Sequence, residues 1–426
     1  MIVNTILICT VGGSHQPIVT AIRDLRPDHV CFICSGKDPG TEKPGSETQI
    51  TGKGLCIKAE ANDDKASLPN IPAQTDLADD AYEIIIVPAD DLDAAVIAVR
   101  VALNSVKELF PGARIVADYT GGTKSMAAAL VLEALEHDGV ELQLVTGNRA
   151  NLIKVQDGTE ASTPAIADAV RLNRAMTPYL LAWGRYAYDE TAAGLAGIRS
   201  PGNAVLRSRL ARARDLSKAF AAWDRFDHTE ALRLLAIYAR VVKDDLGKHL
   251  GALKDLVAES TKQEPMRLFD LWRNAERRAD QGRYDDAVAR VYRLIEWTAQ
   301  WLLRSRCGIE TADVPSERIP FGVEIPQNRD GKRPAGLFVA WTMVGKMIVG
   351  PAKTFASDHL PALLGHVQTR NLSILAHGYT PIGQEAWEKQ RLWLEKIFLP
   401  MLLAEAKTVQ LHAISPQLPT FYNWRG

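Results

Sequence analysis

The feature that most limits the fold is a rhythm in the first 155 residues. Short apolar runs alternate there with helical stretches. The runs are NTILICTV (4–11), HVCFICSG (29–36), YEIIIVP (82–88), a run over 113–118, and ELQLVTGN (141–148). Between them lie QPIVTAIRDL, DDLDAAVIAVRVALNSVKELF (90–110) and SMAAALVLEALEHDG. Strands that are apolar on both faces, separated by amphipathic helices, predict a parallel sheet covered on both sides. The expected class is therefore α/β, Rossmann-like, with a parallel-rich sheet. Residues 36–80, rich in Gly, Pro, Lys and Asp, read as a long excursion from that sheet.

From about residue 165 the strand signals vanish and helical spacing takes over. RFDHTEALRLLAIYARVV (225–242) and RYDDAVARVYRLIEWTAQWLL (283–303) echo each other. Each opens with Arg, an aromatic residue and Asp, then runs apolar at helical spacing. The last helices are expected over 359–378 and 385–409. The expected organisation is an α/β domain (1–160), an all-α linker (161–262) and an all-α C-terminal domain (263–426).

A chain of 426 residues that is 46% hydrophobic can build two or three separate cores. Its formal net charge of −1 disfavours nonspecific coating of nucleic acid. The apolar N-terminus reads as a buried strand, not a secretory leader. No apolar run is long enough for a membrane helix, so a cytoplasmic protein without a membrane partner is expected. Cys31 and Cys34 form a CxxC, but within a strand, where residues three apart face opposite ways. Buried, reduced thiols are the expected state.

ADYTGGTKSMAAAL lies where a strand should give way to a helix. Ligands of open α/β sheets bind at the carboxyl ends of the strands. Gly121 and Gly122 permit a tight turn, Thr120 and Thr123 can donate to an anion, and Lys124 adds a charge. The spacing fits neither a Walker A loop nor GxGxxG. TVGGSHQPI brings Thr10, Gly12, Gly13, Ser14 and Gln16 to the same rim. VTGNR adds Thr146, Asn148 and Arg149. The expected ligand is a phosphate-bearing nucleotide; a glycine-rich turn with a solvated lysine is the alternative.

In RNLSILAHGY, seven residues of α-helix turn through roughly 700° and rise about 10.5 Å. A continuous helix would thus carry Arg370 and His377 on one face, two turns apart. Ser373 would lie between them and His366 one turn earlier. Leu364, Val367, Ile374 and Leu375 would face the core, and Gly378 would cap the helix. A histidine near neutrality can transfer a proton at an RNA 2′-hydroxyl or leaving oxygen, and an arginine can stabilise phosphate charge. The alternative is a basic residue favoured by the helix dipole. No HExxH, no paired CxxC and no aspartate cluster at ligand spacing occurs, so neither a metal nor a cofactor is expected.

Asp118, Thr120, Gly121, Gly122, Thr123 and Lys124 match the DxTGGTK motif of the CARF (CRISPR-associated Rossmann fold) domain, which the N-terminal region resembles. TVGGSHQPI matches in place and character. RNxxxxAHG, following the helix GRYDDAVARVYRLIEWTAQ, resembles the HEPN ribonucleases, with Asn371 in the polar position after the Arg. The resemblances cover 1–155 and about 265–426. They imply a type III CRISPR ancillary ribonuclease, a homodimer activated by cyclic oligoadenylate. Its implied catalytic residues are Arg370, Asn371 and His377. It would cleave single-stranded RNA, not DNA, without a metal, leaving a 2′,3′-cyclic phosphate. A non-catalytic sensor with a protein-binding helical half, or an enzyme degrading its own activator, are the rival implications.

Overall fold

The computed structural model describes residues 5–38, 40–52, 68–147, 159–371, 373–375 and 378–424; the side chains of 368–371 lie outside that description. The chain divides into two compact units, residues 1–174 and 175–426.

The first unit is built on strands β1 (Thr5–Val11), β2 (His29–Ser35), β3 (Tyr82–Val87), β4 (Arg114–Asp118), β5 (Val140–Thr146) and β6 (Ala161–Pro164). They form one sheet in the order β3-β2-β1-β4-β5-β6. Every pairing is parallel except that of β6, which runs antiparallel to β5. The five expected strands are all present. The sixth, ASTP, was not foreseen: it has no apolar alternation and only half-buries one residue. Its place comes from pairing with an exposed sheet edge.

Among the described residues, five helices accompany the sheet: α1 (Gln16–Leu25), the short α2 (Thr48–Thr51) and α3 (Ile71–Gln74), α4 (Leu92–Leu109) and α5 (Lys124–Glu136). Proline in the first turn starts α1, where its missing amide costs nothing. Asp91 caps α4 by accepting from the Ala94 amide. Apolar side chains of β1 alternate between two cores. Ile6 and Ile8 join α4 and α5, whereas Leu7 and Cys9 join α1. Cys31 and Cys34 fall in different cores for the same reason, and burial pushes both thiols up in pKa.

Helix α6 (Asp168–Leu181) spans the junction of the units. The second unit contains α7 (Tyr188–Gly197), α8 (Ala204–Asp224), α9 (His228–Ile237), α10 (Lys243–Val257), α11 (Gln263–Asp280) and α12 (Tyr284–Cys307). After a long connection come α13 (Leu337–Met347), α14 (Pro351–Asn371), α15 (Gln384–Trp393) and α16 (Leu399–Lys407). One π-helical turn, Leu394–Phe398, joins the last two.

The two echoing segments follow similar turns, but in a register two residues off the sequence echo. The α8–α9 and α11–α12 hairpins turn alike. Phe226 and Gly282 take left-handed φ values of 66° and 72°. Their amides bond to Trp223 O and Ala279 O, both at 2.8 Å. The following amides, of Asp227 and Arg283, reach back to Ala222 O and Arg278 O at 2.9 and 2.8 Å.

A polar knot binds these hairpins together. The Arg277 guanidinium is fully buried and donates to Asp224 Oδ1 at 2.7 Å and Gln417 Oε1 at 2.8 Å. Asp224 also accepts from Arg278 and Asn274. Buried Asp270 accepts from the Trp223 indole at 2.9 Å, pairs with His228 at 2.9 Å, and accepts from Ser415 at 3.2 Å. The segment after α16 supplies part of this. Pro419 O accepts from the Tyr188 hydroxyl at 2.7 Å, Gln417 O lies 3.0 Å from His249 Nε2, and Trp424 packs edge-on against Trp183.

Candidate functional site

Two glycine-bearing loops meet at the carboxyl ends of β1 and β4. The fit is backbone against backbone. A Cβ on Gly121 would lie 2.3 Å from Thr10 O, and one on Gly12 would lie 2.8 Å from the Gly122 amide nitrogen. Gly122 adds a φ of +79°, which favours glycine. The Thr10 hydroxyl, fully buried, donates to Gly121 O at 2.7 Å and ties the loops together.

Asp118 sets the loop from below. One carboxylate oxygen accepts from the Thr120 amide at 2.9 Å and the other from Gln143 at 3.2 Å. Burial raises its pKa, and these hydrogen bonds oppose the rise. The Thr120 hydroxyl in turn accepts from the Val145 amide at 2.7 Å. Thr123 caps α5 by accepting from the Met126 amide, while its hydroxyl donates to Ala89 O. Lys124 occupies the first position of α5 and is exposed. Its charge and the positive end of the helix dipole therefore share one place. Ser14 donates to Gln16 Oε1 at 3.0 Å across the mouth of the other loop. Asp118 and Thr120 thus hold the loop, and Gly12, Gly13, Gly122, Thr123 and Lys124 form its outer rim. Thr146 reaches the same edge but bonds to Thr163 of β6 at 2.8 Å. Asn148 and Arg149 lie outside the described residues.

The excursion after β2 contributes a wall that sequence reasoning did not assign. A cleft of about 300 Å³ is lined by Gly12, Gly13, Gly122 and Thr123 on one side and Gly45, Ser46, Thr48 and Gln49 on the other. Gly45 is forced there: a Cβ would fall 2.2 Å from Ser35 O. The Ser46 hydroxyl accepts from the Ser35 amide at 2.9 Å and pins the wall to the end of β2. Adjacent Gly45 and Ser46 beyond a strand end are the signal in the sequence. They read only as loop composition until the partner strand end is known.

The C-terminal segment departs from expectation. Helix α14 ends at Asn371 and does not run to 378. Ser373 forms an isolated bridge with Thr380, Ile374 and Leu375 make a turn, and the Gly378 amide donates to Ser373 O at 3.1 Å. The continuous helix expected from 370 to 377 is therefore not formed at 373–375. Gly378 does not cap that helix. The Ser373–Thr380 bridge satisfies backbone that another turn would otherwise hold. Ile382 N donates to Asp285 Oδ2 at 3.1 Å, anchoring the segment to the start of α12. His377 lies outside the described residues, as do the side chains of Arg370 and Asn371.

The expected core face is also corrected. Leu364, Ile374 and Leu375 are exposed, whereas Leu363 and Ser373 are buried. His366 does not extend a surface stripe. Its ring lies 4.4 Å from that of Trp393, and burial, then Lys389, lowers its pKa.

Comparison with known proteins bears on both units. Residues 257–398 match the Csm6 HEPN domain family. The whole chain superposes on Enterococcus italicus Csm6 bound to cyclic hexa-2′-fluoro-hexa-dAMP with a TM-score of 0.56 at 14% identity, covering 96% of this chain and 95% of that one. Can2 from Sulfobacillus thermosulfidooxidans, in complex with cyclic tetra-adenylate, gives a TM-score of 0.25 at 13% identity, covering 57% and 69%. That score is too low to carry a structural argument. No curated protein matches by sequence. The chain thus shares the Csm6 fold along nearly its whole length, with a Rossmann-like sheet carrying the DxTGGTK loop and a match to the Csm6 HEPN domain family that runs from α11 through α15.

Proposed function

We propose that this protein is a homodimeric, cytoplasmic endoribonuclease switched on by cyclic oligoadenylate in type III CRISPR antiviral defence. The observation that carries the reading is the HEPN match, whose span includes Arg370, Asn371 and His377. The glycine-locked rim supplies the matching input site. Gly12, Gly13, Gly122 and Thr123 bring backbone close to a ligand, and Lys124 supplies charge for its phosphates. Thr10, Thr120 and Gly121 hold that rim in shape, Ser14 and Gln16 extend it, and Asn148 is proposed as a further ligand contact. The Enterococcus protein of the same fold was solved with a cyclic hexanucleotide.

At the output site the RNA 2′-hydroxyl attacks the adjacent phosphorus and the 5′-oxygen leaves. A 2′,3′-cyclic phosphate remains. His377 moves the proton, Arg370 neutralises charge developing on the phosphate, and Asn371 orients it. These side chains need no metal for that chemistry. They act paired with the same residues of a second copy. Binding of the ring drives activation only to the extent that it favours the active arrangement over the resting one.

The test is cleavage of a fluorogenic RNA by the full chain with cyclic tetra- or hexa-adenylate, with and without EDTA. Stimulation by one ring size, persisting in EDTA and leaving a 2′,3′-cyclic phosphate on mass spectrometry, is expected. No stimulated cleavage of any RNA would overturn the ribonuclease reading. Loss of cleavage in EDTA, restored by added metal, would overturn the chemistry.

A further inference from the structure

Strand β3 is the edge of the sheet, and residues 83, 85 and 87 point to one face of it. Ile85 and Val87 belong there, packed with α4. Glu83 is a carboxylate on that same apolar face. Its register partner on β2 is Cys31, a fully buried thiol. The Cys31 sulfur lies 2.7 Å from Glu83 Oε1. His29, two residues before Cys31, shares the face, and its ring rests on Phe110 with centroids 5.4 Å apart. One donor atom each of His29, Cys31 and Glu83 lie within 4.8 Å of one another.

We propose that His29, Cys31 and Glu83 bind one divalent cation of the zinc class. A tetrahedral zinc places its ligand atoms roughly 3.5 Å apart, so side-chain rotations of about an ångström close the set. Imidazole, thiolate and carboxylate together suit zinc and disfavour magnesium or calcium. The fourth position falls to solvent at the open sheet edge. On binding, the Cys31 thiol gives up its proton to solvent and its hydrogen bond to Glu83, and each ion taken up releases one proton. The ion would clip β3 to β2 at the end of the sheet away from the glycine loops. The competing explanation is a charge that guards an edge strand against pairing with another chain.

Cobalt(II) as the spectroscopic probe decides between them. The full chain, stripped with chelator and desalted, is titrated with Co²⁺. One equivalent should give a thiolate-to-cobalt charge-transfer band with tetrahedral d–d bands, abolished by Zn²⁺. Cys31→Ser should lose the charge-transfer band, and Cys34→Ser, on the opposite face, should keep it. Glu83→Gln, at the sheet edge, should weaken cobalt binding by about tenfold or more, since even outer-shell losses cost that much. No charge-transfer band in the unmodified chain, or an unchanged titration in Glu83→Gln, would overturn the site and leave the edge-guarding explanation. The readout is metal alone, so it stands or falls apart from the ribonuclease reading.

Discussion

The glycine rim and the 370–380 segment were both nominated from short motifs, yet the structure treats them differently. At the rim, neighbours in sequence remain neighbours in space. Gly121, Gly122 and Thr123 turn the chain, and Thr10 locks the turn through one hydrogen bond of 2.7 Å. In the C-terminal segment the inference needed a helix to continue for two more turns. It stops at Asn371, and Ser373 pairs instead with Thr380. A turn motif states its own geometry. A spacing states geometry only if the element that carries it is already known.

Four experiments sharpen or break this contrast, from the largest expected effect to the smallest. His377→Ala should lower activated RNA cleavage by about 10²–10⁴-fold, the range of a lost general acid–base, while leaving activator affinity unchanged. Retained cleavage would mean that the C-terminal motif has no chemistry, and only the rim would remain as a site. Asp224→Ala should destabilise the helical unit by about 3–5 kcal/mol, because it strands the buried Arg277 charge. Urea unfolding followed by tryptophan fluorescence measures this, and a loss near zero would show that the polar knot is replaceable.

The third concerns pH. Burial holds His249 at a pKa of about 4, below its ordinary 6.5. The unfolded chain therefore binds the extra proton between those values and the folded one does not. This contribution is full above pH 6.5 and is lost as pH falls toward 4, up to about 3 kcal/mol in all. His249→Gln should flatten that part of the stability profile; an unchanged slope would assign it to other groups. Last, Lys124→Ala should weaken cyclic oligoadenylate binding by about tenfold, the value of one exposed charge-assisted contact. Calorimetry with the His377→Ala background keeps the activator measurement separate from turnover. Unchanged affinity would remove Lys124 from the rim.

The parallel sheet was legible because each strand carries its own apolar run. Residues 5–11 are buried almost throughout, and a sequence shows that directly. β6 was not legible, since ASTP earns its place from the edge it meets and has no pattern of its own. The likeness of the hairpins was visible only as an Arg-aromatic-Asp echo, which lies two residues out of register with the shared left-handed turns at Phe226 and Gly282. At the rim, DxTGGTK announced the turn, but the wall at Gly45–Gln49 did not announce itself: its geometry depends on Ser35, eleven residues from Ser46. The apolar face expected for 359–378 failed at Ile374 and Leu375 because the helix stops at Asn371, and at Leu364 by one position. Leu363 faces inward where Leu364 was expected to, because a small error in helix phase moves every side chain on it.

The segment beyond α16 closes contacts with α7 and α10, and the Tyr188–Pro419 hydrogen bond joins residues 231 positions apart. A growing chain that has already emerged through α12 still lacks the strand of backbone that seats Tyr188, His249 and Trp183. Helical proteins usually fold fast because their contacts are local, and here the last contacts are as distant as those of a large sheet. The helical unit can therefore assemble its hairpins early in synthesis but must wait for residues 415–424 to complete its core. Until then its aromatic cluster is open to solvent and to whatever holds a nascent chain.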